Sequence, residues 1–318
     1  MRCFVTGCAG FIGSTLTERL LSQGHLVVGY DNFSTGREDF LRAAREHSAF
    51  RLVRADLLDT QTLGASMREV DLVFHLAANA DVRCGTAHPH RDLEQNTIAT
   101  HHVLEAMRHN GVSRIAFTSS GSVYGEATRV PTPEDAPFPV QTSLYGASKA
   151  AAEGLITAYC AGFGFRSHIF RLVSILGERY THGHVLDFYR QLRADPHRLR
   201  VLGNGRQRKS YLYVHDCIDA MLLALKHADG QVNTFNVGCE SSCQVNDSIG
   251  WICAALGVTP QIEYGTDDRG WPGDNPLILL DVSRLGALGW KPRLDIREAV
   301  LATLAYLTAN PHVLDARR

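Results

Sequence analysis

The feature that most constrains the fold of this chain lies in its first thirty-one residues. A short apolar strand (residues 2–5) runs into Thr6-Gly7-Cys8-Ala9-Gly10-Phe11-Ile12-Gly13. An amphipathic segment follows at 14–22, and a second apolar strand, 26–30, ends in Asp31. Glycines at G-x-x-G-x-x-G spacing between strand and helix meet three needs. Gly7 permits a tight turn, Gly10 lets backbone N–H groups approach a pyrophosphate, and Gly13 lets helix pack on strand. Asp31 stands at the distance expected of a carboxylate that accepts from both hydroxyls of an adenosine ribose. It repels a 2′-phosphate, and no arginine follows until Arg37, so NAD is expected rather than NADP. Phe11 and Ile12 in the turn, and Asn32 and Ser34 after the carboxylate, are assigned to the same cofactor site.

The pattern continues. A third strand (50–54) leads into Asp56-Leu57, an acid-plus-apolar contact for the adenine ring. A fourth (72–74) runs into His75-Leu76-Ala77-Ala78, whose small residues suit close backbone approach to the cofactor. A helix over 92–110 and a strand before Ser120 follow. Strand and helix alternate at intervals of about 20 to 25 residues, which predicts βαβ units. The expected fold is α/β, a doubly wound parallel sheet of Rossmann type.

Composition removes several classes of partner. A net charge of -1 gives no support to nucleic acid or membrane-surface binding. No apolar run approaches the roughly 18 residues of a membrane span, and Met1-Arg2 leads straight into a strand rather than a signal peptide. The eight cysteines include no C-x-x-C pair and many sit in apolar segments, so reduced thiols in a cytoplasmic protein are expected. The pairs His101-His102 and His182/His184 have no second ligand cluster, and no metal is expected.

The chemistry-bearing stretch runs from Thr118 to Lys149. Tyr145 and Lys149 are four apart in an Ala-rich segment (143–161) that reads as helix, so both lie on one face. An ammonium beside a phenol favours the phenolate, so Tyr145 is expected to have a lowered pKa and to serve as a base. Ser120 comes just after a buried strand (114–118), which places its hydroxyl at the carboxyl end of the sheet, where open α/β folds bind ligands. A Tyr-x-x-x-Lys pair alone is weak evidence, because helices carry such pairs by chance. Five motifs in order are far more specific: T-G-x-x-G-F-I-G, Asp31, His75-Leu-Ala-Ala, Ser120 with V-Y-G after it, and Tyr145-x-x-x-Lys149.

Together these motifs resemble the extended short-chain dehydrogenase/reductase family, nearest the NAD-dependent nucleotide-sugar epimerases and dehydratases, over nearly the whole chain. The resemblance implies a catalytic set of Ser120, Tyr145 and Lys149, with Tyr145 and Lys149 also touching the cofactor. Tyr145 would take a proton from a sugar hydroxyl while hydride passes to NAD, and Ser120 would bond the same oxygen. It also implies that a smaller C-terminal substrate-binding domain (174–210 and 239–318) accompanies the NAD-binding domain (1–173, with 211–238 returning to the sheet). A nucleotide-diphosphate sugar substrate and a homodimer built on the helices 92–110 and 143–161 are implied as well. Ser174 stands where relatives carry an asparagine that contacts the sugar diphosphate. His184 and Val185 stand where they hold the nucleotide. The phosphate-binding arginine falls on Lys209, with Arg208 beside it, and a lysine offers a point charge rather than a fork. Arg269 and Asp274 are candidates for phosphate and ribose, or for fixing their own Gly/Pro-rich loop.

The branches differ in the two residues after the serine. Dehydratases of this type carry Asp and Glu there, decarboxylases a Glu at the second position, and 3,5-epimerases a cysteine. This chain has Gly121 and Ser122, so oxidation and reduction at one carbon, 4-epimerisation, is expected. Dehydration or a second deprotonation stays open if Asp81 or Cys84 supplies the acid. A sugar dehydrogenase with exchangeable NAD and an inactive dinucleotide-binding regulator stay open as well. Neither the nucleotide base nor the sugar is legible.

Overall fold

The computed structural model describes residues 1–79, 82, 85–137, 140–271 and 274–315; Asp81 and Cys84 fall outside the described residues. The chain divides into two compact units. The first comprises Met1–Gly125, Val140–Arg171 and Met221–Phe235.

It is built on β1 (Arg2–Thr6), α1 (Phe11–Ser22), β2 (Leu26–Asp31), β3 (Phe50–Arg54), β4 (Leu72–His75), β5 (Arg114–Ser120) and β6 (Arg166–Leu172). With the strand Val232–Val237 these form a seven-stranded sheet in the order Val232–Val237, β6, β5, β4, β1, β2, β3. The pairs β1–β2, β2–β3, β1–β4 and β4–β5 are parallel. Cys3, Phe4 and Val5 are all fully buried, as a strand covered on both faces requires. Phe4, Tyr30, Val73, Ile115 and Phe117 meet Leu63, Val103, Met107 and Ile156 in the core. Each such side chain contributes roughly 1.5–3 kcal/mol relative to exposure. The strand order reverses between β1 and β4, and ligands of doubly wound sheets bind at the carboxyl ends of strands at such a point. Thr6, His75 and Phe117 stand in register there.

The helix Leu144–Phe163 begins at Ser143, whose Oγ accepts from Gly146 N–H at 3.0 Å, and stops at Gly164 in the left-handed region. The helix expected over 92–110 is more complex. A turn at Pro89–Asp92 passes into π-helix at Leu93–Ile98 and then into α-helix at Ala99–His109. π-Helical turns of this kind cluster at functional sites.

The second unit comprises residues 126–139, 172–220 and 236–318. Its small sheets pair Ser174–Leu176 with Tyr211–Tyr213, Arg198–Val201 with Gln261–Tyr264, and Arg208–Lys209 with Cys243–Gln244 and Leu277–Ile278. Helices His184–Ala194, Val245–Leu256 and Ile296–Ala309 complete it. Residues 126–139 join this unit, although the sequence places them with the first. Thr132 N–H donates to Leu279 O at 2.9 Å, and buried Asn236 donates to Thr132 O at 2.8 Å. Among the described residues no helix is long and apolar enough to cross a membrane.

Candidate active site

The turn after β1 leaves no room for a side chain at Gly7 or Gly13. A Cβ on Gly7, whose φ is 71°, would lie 2.8 Å from Ala77 N, and one on Gly13 would lie 2.0 Å from Gly7 O. The backbone there packs against backbone. Helix α1 starts at Gly10 with no side-chain cap, so its N-terminal turn presents backbone dipole to an anion. Phe11 is buried, and Ile12 half-buried, in this turn.

Asp31, buried at the end of β2, accepts from Ala9 N–H at 2.9 Å on one oxygen and from Phe33 N–H at 2.8 Å on the other. Burial raises its pKa and the two N–H bonds oppose that rise. A carboxylate offers roughly four acceptor positions, so ribose hydroxyls can still bind. Arg37 is held in a two-pronged bond to Asp39, and Arg54 pairs with Glu38 and stacks on Phe33 at 4.7 Å. Asn32 donates to Asp56 at 2.7 Å and caps the Ser34 N–H at 2.9 Å, while Leu57 is buried in the core. Leu76 and Ala77 donate backbone N–H bonds to Thr6 Oγ1, both at 3.1 Å, and Ala78 is half-buried beyond them. Glycines closed to a Cβ, an uncapped helix start and a pinned carboxylate whose neighbours Arg37 and Arg54 are already paired fit NAD.

Ser120, Tyr145 and Lys149 all belong to the first unit. Ser120 Oγ bonds Ser122 Oγ at 3.1 Å, accepts from Ser122 N–H at 3.1 Å and is hydrogen-bonded to the Tyr145 hydroxyl. Lys149 is buried, its Nζ donating to Thr118 O at 3.0 Å and standing 4.7 Å above the Phe117 ring. Burial pulls Lys149 down to about 8, with Glu153 and Asp92 opposing. The lowered tyrosine pKa expected from the sequence is not found in the chain by itself. Burial pushes the Tyr145 hydroxyl up to about 12; the Ser120 bond opposes this and Asp92 adds to it. Spacing alone overestimates the lysine, because removing a phenolate from water costs more than one offset cation returns.

Two networks that the sequence did not suggest hold these groups. Glu153, one turn beyond Lys149, accepts from Ser119 and takes Arg171 in a fork, with bonds of 2.8 and 3.1 Å. Arg171 also donates to Tyr124 OH at 2.7 Å, so the segment between Ser119 and Tyr124 is fixed at both ends. In the π-helical segment, buried Asn96 donates to Ser148 Oγ at 2.9 Å, and Ser148 donates to Tyr145 O at 2.8 Å. The spacing Tyr145, Lys149, Glu153 was a usable signal for the acid. Asn96 had none, lying roughly fifty residues away in sequence.

The remaining candidates belong to the second unit. Ser174 is exposed in the strand Ser174–Leu176. His184 bonds Ser248 Oγ at 2.8 Å and lies 4.6 Å from the Tyr211 ring; burial holds it down to about 3, so it is neutral. Val185 is wholly buried. Arg208 is exposed and bonds Ser242. Lys209 is buried against Asp274 at 2.6 Å and bonds Asn275 O. Arg269 pairs with Glu126 at 2.5 Å and donates to Asp274 O at 2.9 Å. Lys209, Arg269 and Asp274 are thus one cluster.

The NAD dependent epimerase/dehydratase family matches residues 3–238. The chain belongs to that family. A UDP-glucose 4-epimerase of Mycolicibacterium smegmatis is 33% identical, covering 96% of this chain and 98% of its own. The crystal structure of a UDP-galactose 4-epimerase superposes with a TM-score of 0.88 at 38% identity, covering 98% of this chain and 99% of its own. A UDP-glucuronic acid 4-epimerase from Bacillus cereus, solved with UDP-glucuronic acid and NAD, gives 0.89 at 26%, covering 97% and 99%. As a member of this epimerase/dehydratase family the chain uses NAD, and we propose that the cradle of Gly7, Gly13 and Asp31 holds it.

Proposed function

We propose that this chain is an NAD-dependent UDP-sugar 4-epimerase. The observation that carries the reading is the pair of residues after Ser120. Gly121 is buried and has no side chain, and Ser122 offers only a hydroxyl, which bonds Ser120 at 3.1 Å. Neither supplies the acid that elimination or decarboxylation needs beside the oxidised carbon. NAD, when bound, supplies the hydride acceptor and donor together with a positively charged ring.

The protein's own part is proton transfer and orientation. Tyr145 takes the proton of the C4 hydroxyl and later returns one, while Ser120 bonds the same oxygen. A phenol at about 12 needs positive charge to act as a base near neutrality, and Lys149, at about 8, is mostly charged at pH 7. Thr118 O fixes the ammonium, and Glu153 with Arg171 fixes the serine segment. In the second unit we assign Arg269 and Arg208 to the diphosphate, Asp274 to the ribose, and Ser174, His184 and Val185 to nucleotide or sugar. Lys209 then acts through Asp274, its charge already met there. The uridine base is supported by relatives that bear UDP-sugar names.

Proton NMR of UDP-hexoses and UDP-uronates incubated with the enzyme, without added NAD, tests the reading. A 4-epimerase brings at least one of them to equilibrium with its C4 epimer. Conversion of none, with NAD shown to be bound, contradicts it.

A further inference from the structure

At the carboxyl end of β1 and β4 runs a hydrogen-bond chain whose direction is set by valence. Thr6 Oγ1 accepts from Leu76 N–H and from Ala77 N–H, both at 3.1 Å. A hydroxyl oxygen has two lone pairs and one proton, so that proton is left for His75 Nδ1, 2.8 Å away. Nδ1 is therefore bare, and the neutral ring carries its proton on Nε2, which donates to Thr100 Oγ1 at 2.9 Å. Thr100 donates in turn to Asn96 O at 2.5 Å. His75 is wholly buried, with the Phe117 ring 5.5 Å away. Burial, aided by the charge of Lys149, holds its pKa down to about 3.

We propose that His75, locked as the Nε2–H tautomer, is a positioning residue that joins the cofactor cradle to the catalytic helix. On one side its bare Nδ1 takes the Thr6 proton and so leaves both Thr6 lone pairs for Leu76 and Ala77. Ala77 N is the atom against which the Gly7 turn packs, 2.8 Å from where a Cβ would be. The opposite tautomer would either point two protons at each other or, if the Thr6 hydroxyl turned to accept from Nδ1–H, deprive one of those N–H groups of its acceptor. On the other side, Thr100 steadies Asn96, which bonds Ser148 and through it the Tyr145 carbonyl. The assignment rests on the NAD-dependent reading of the site, but the tautomer does not depend on which sugar is turned over.

Two substitutions separate the two ends. In His75→Asn the amide oxygen replaces Nδ1 and no donor reaches Thr100; in His75→Gln the amide nitrogen replaces Nε2 and no acceptor reaches Thr6. His75→Asn should keep NAD affinity within about threefold yet slow reduction of bound NAD by an accepted nucleotide sugar about tenfold. His75→Gln should weaken NAD about tenfold, the effect of one lost buried bond. Nitrogen-15 NMR of the wild-type holoenzyme should show one bare and one protonated His75 nitrogen, unchanged from about pH 5 to 9. A protonated Nδ1, a ring that titrates near 6.5, or two variants with the same profile would overturn the proposal. Should a variant fail to fold, the wild-type spectrum, which involves no sugar, decides.

Discussion

Tyr145 and Lys149 illustrate what one pair of residues reveals in sequence and what it conceals. Their spacing gave the shared helix face, but the pKa of each is governed by burial, which spacing does not encode. Tyr145→Phe keeps the ring and removes the proposed proton carrier, so turnover should fall about 10²–10⁴-fold, with NAD retained as checked by its release on denaturation. Lys149 bears on stability as well. Its folded pKa of about 8 lies below the usual 10.5, so between those values the unfolded chain binds more protons and wild-type stability rises with pH. Lys149→Met removes a buried cation. It should be inactive yet at least as stable as wild type at pH 7, with its advantage shrinking above about pH 8. Urea melts at several pH values check this, and a variant less stable at pH 7 than at pH 10, relative to wild type, would contradict the assignment. The Lys209–Asp274 pair was invisible beforehand for a different reason. Its partners lie 65 residues apart, and nothing local marks either as the other's counter-charge.

At the scale of elements, the strands and the glycine turn were legible because their signals are local. The run Cys3-Phe4-Val5 is apolar on both faces, and the Gly7–Gly13 spacing reflects backbone packing. Gly13→Ala should accordingly be among the most damaging single changes, on the order of 4 kcal/mol or more, since its Cβ would stand 2.0 Å from Gly7 O. A denaturant midpoint close to wild type would refute that geometry. The π-helical segment Leu93–Ile98 could not be foreseen, since one wider turn leaves no mark in hydrophobic period. It is recognised by Asn96, whose side chain meets Asn79, Asp92 and Ser148. The Glu153–Arg171 fork makes a prediction of its own kind. Glu153→Gln keeps the shape but loses the buried charge opposite a half-buried guanidinium, and breaking one partner of a buried pair costs about 3–5 kcal/mol. Calorimetry should show a fall in Tm of several degrees.

For the molecule as a whole, the helix Leu144–Phe163 leaves Ala151, Gly154, Ala158, Ala161 and Gly162 exposed without one charge among them. Phe163 at 55% and Leu93 at 53% exposure lie at the two ends of the helical pair. We propose that two copies meet here as a homodimer, the self-complementary arrangement most common among oligomers. A side chain on Gly154 would meet nothing within 4 Å in its own chain, so Gly154→Arg should fold normally and be monomeric by light scattering. A dimer in that variant places the interface elsewhere. The central claim, that hydride leaves and returns to one carbon with no second proton drawn, is tested by the reaction in deuterated water. With an accepted UDP-sugar, mass spectrometry should find the C4 epimer at unchanged mass, without added NAD and with no NADH released. Deuterium at C5 or C6 with loss of water would mean a dehydratase, and free NADH accumulating with one NAD consumed per turnover would mean a dehydrogenase.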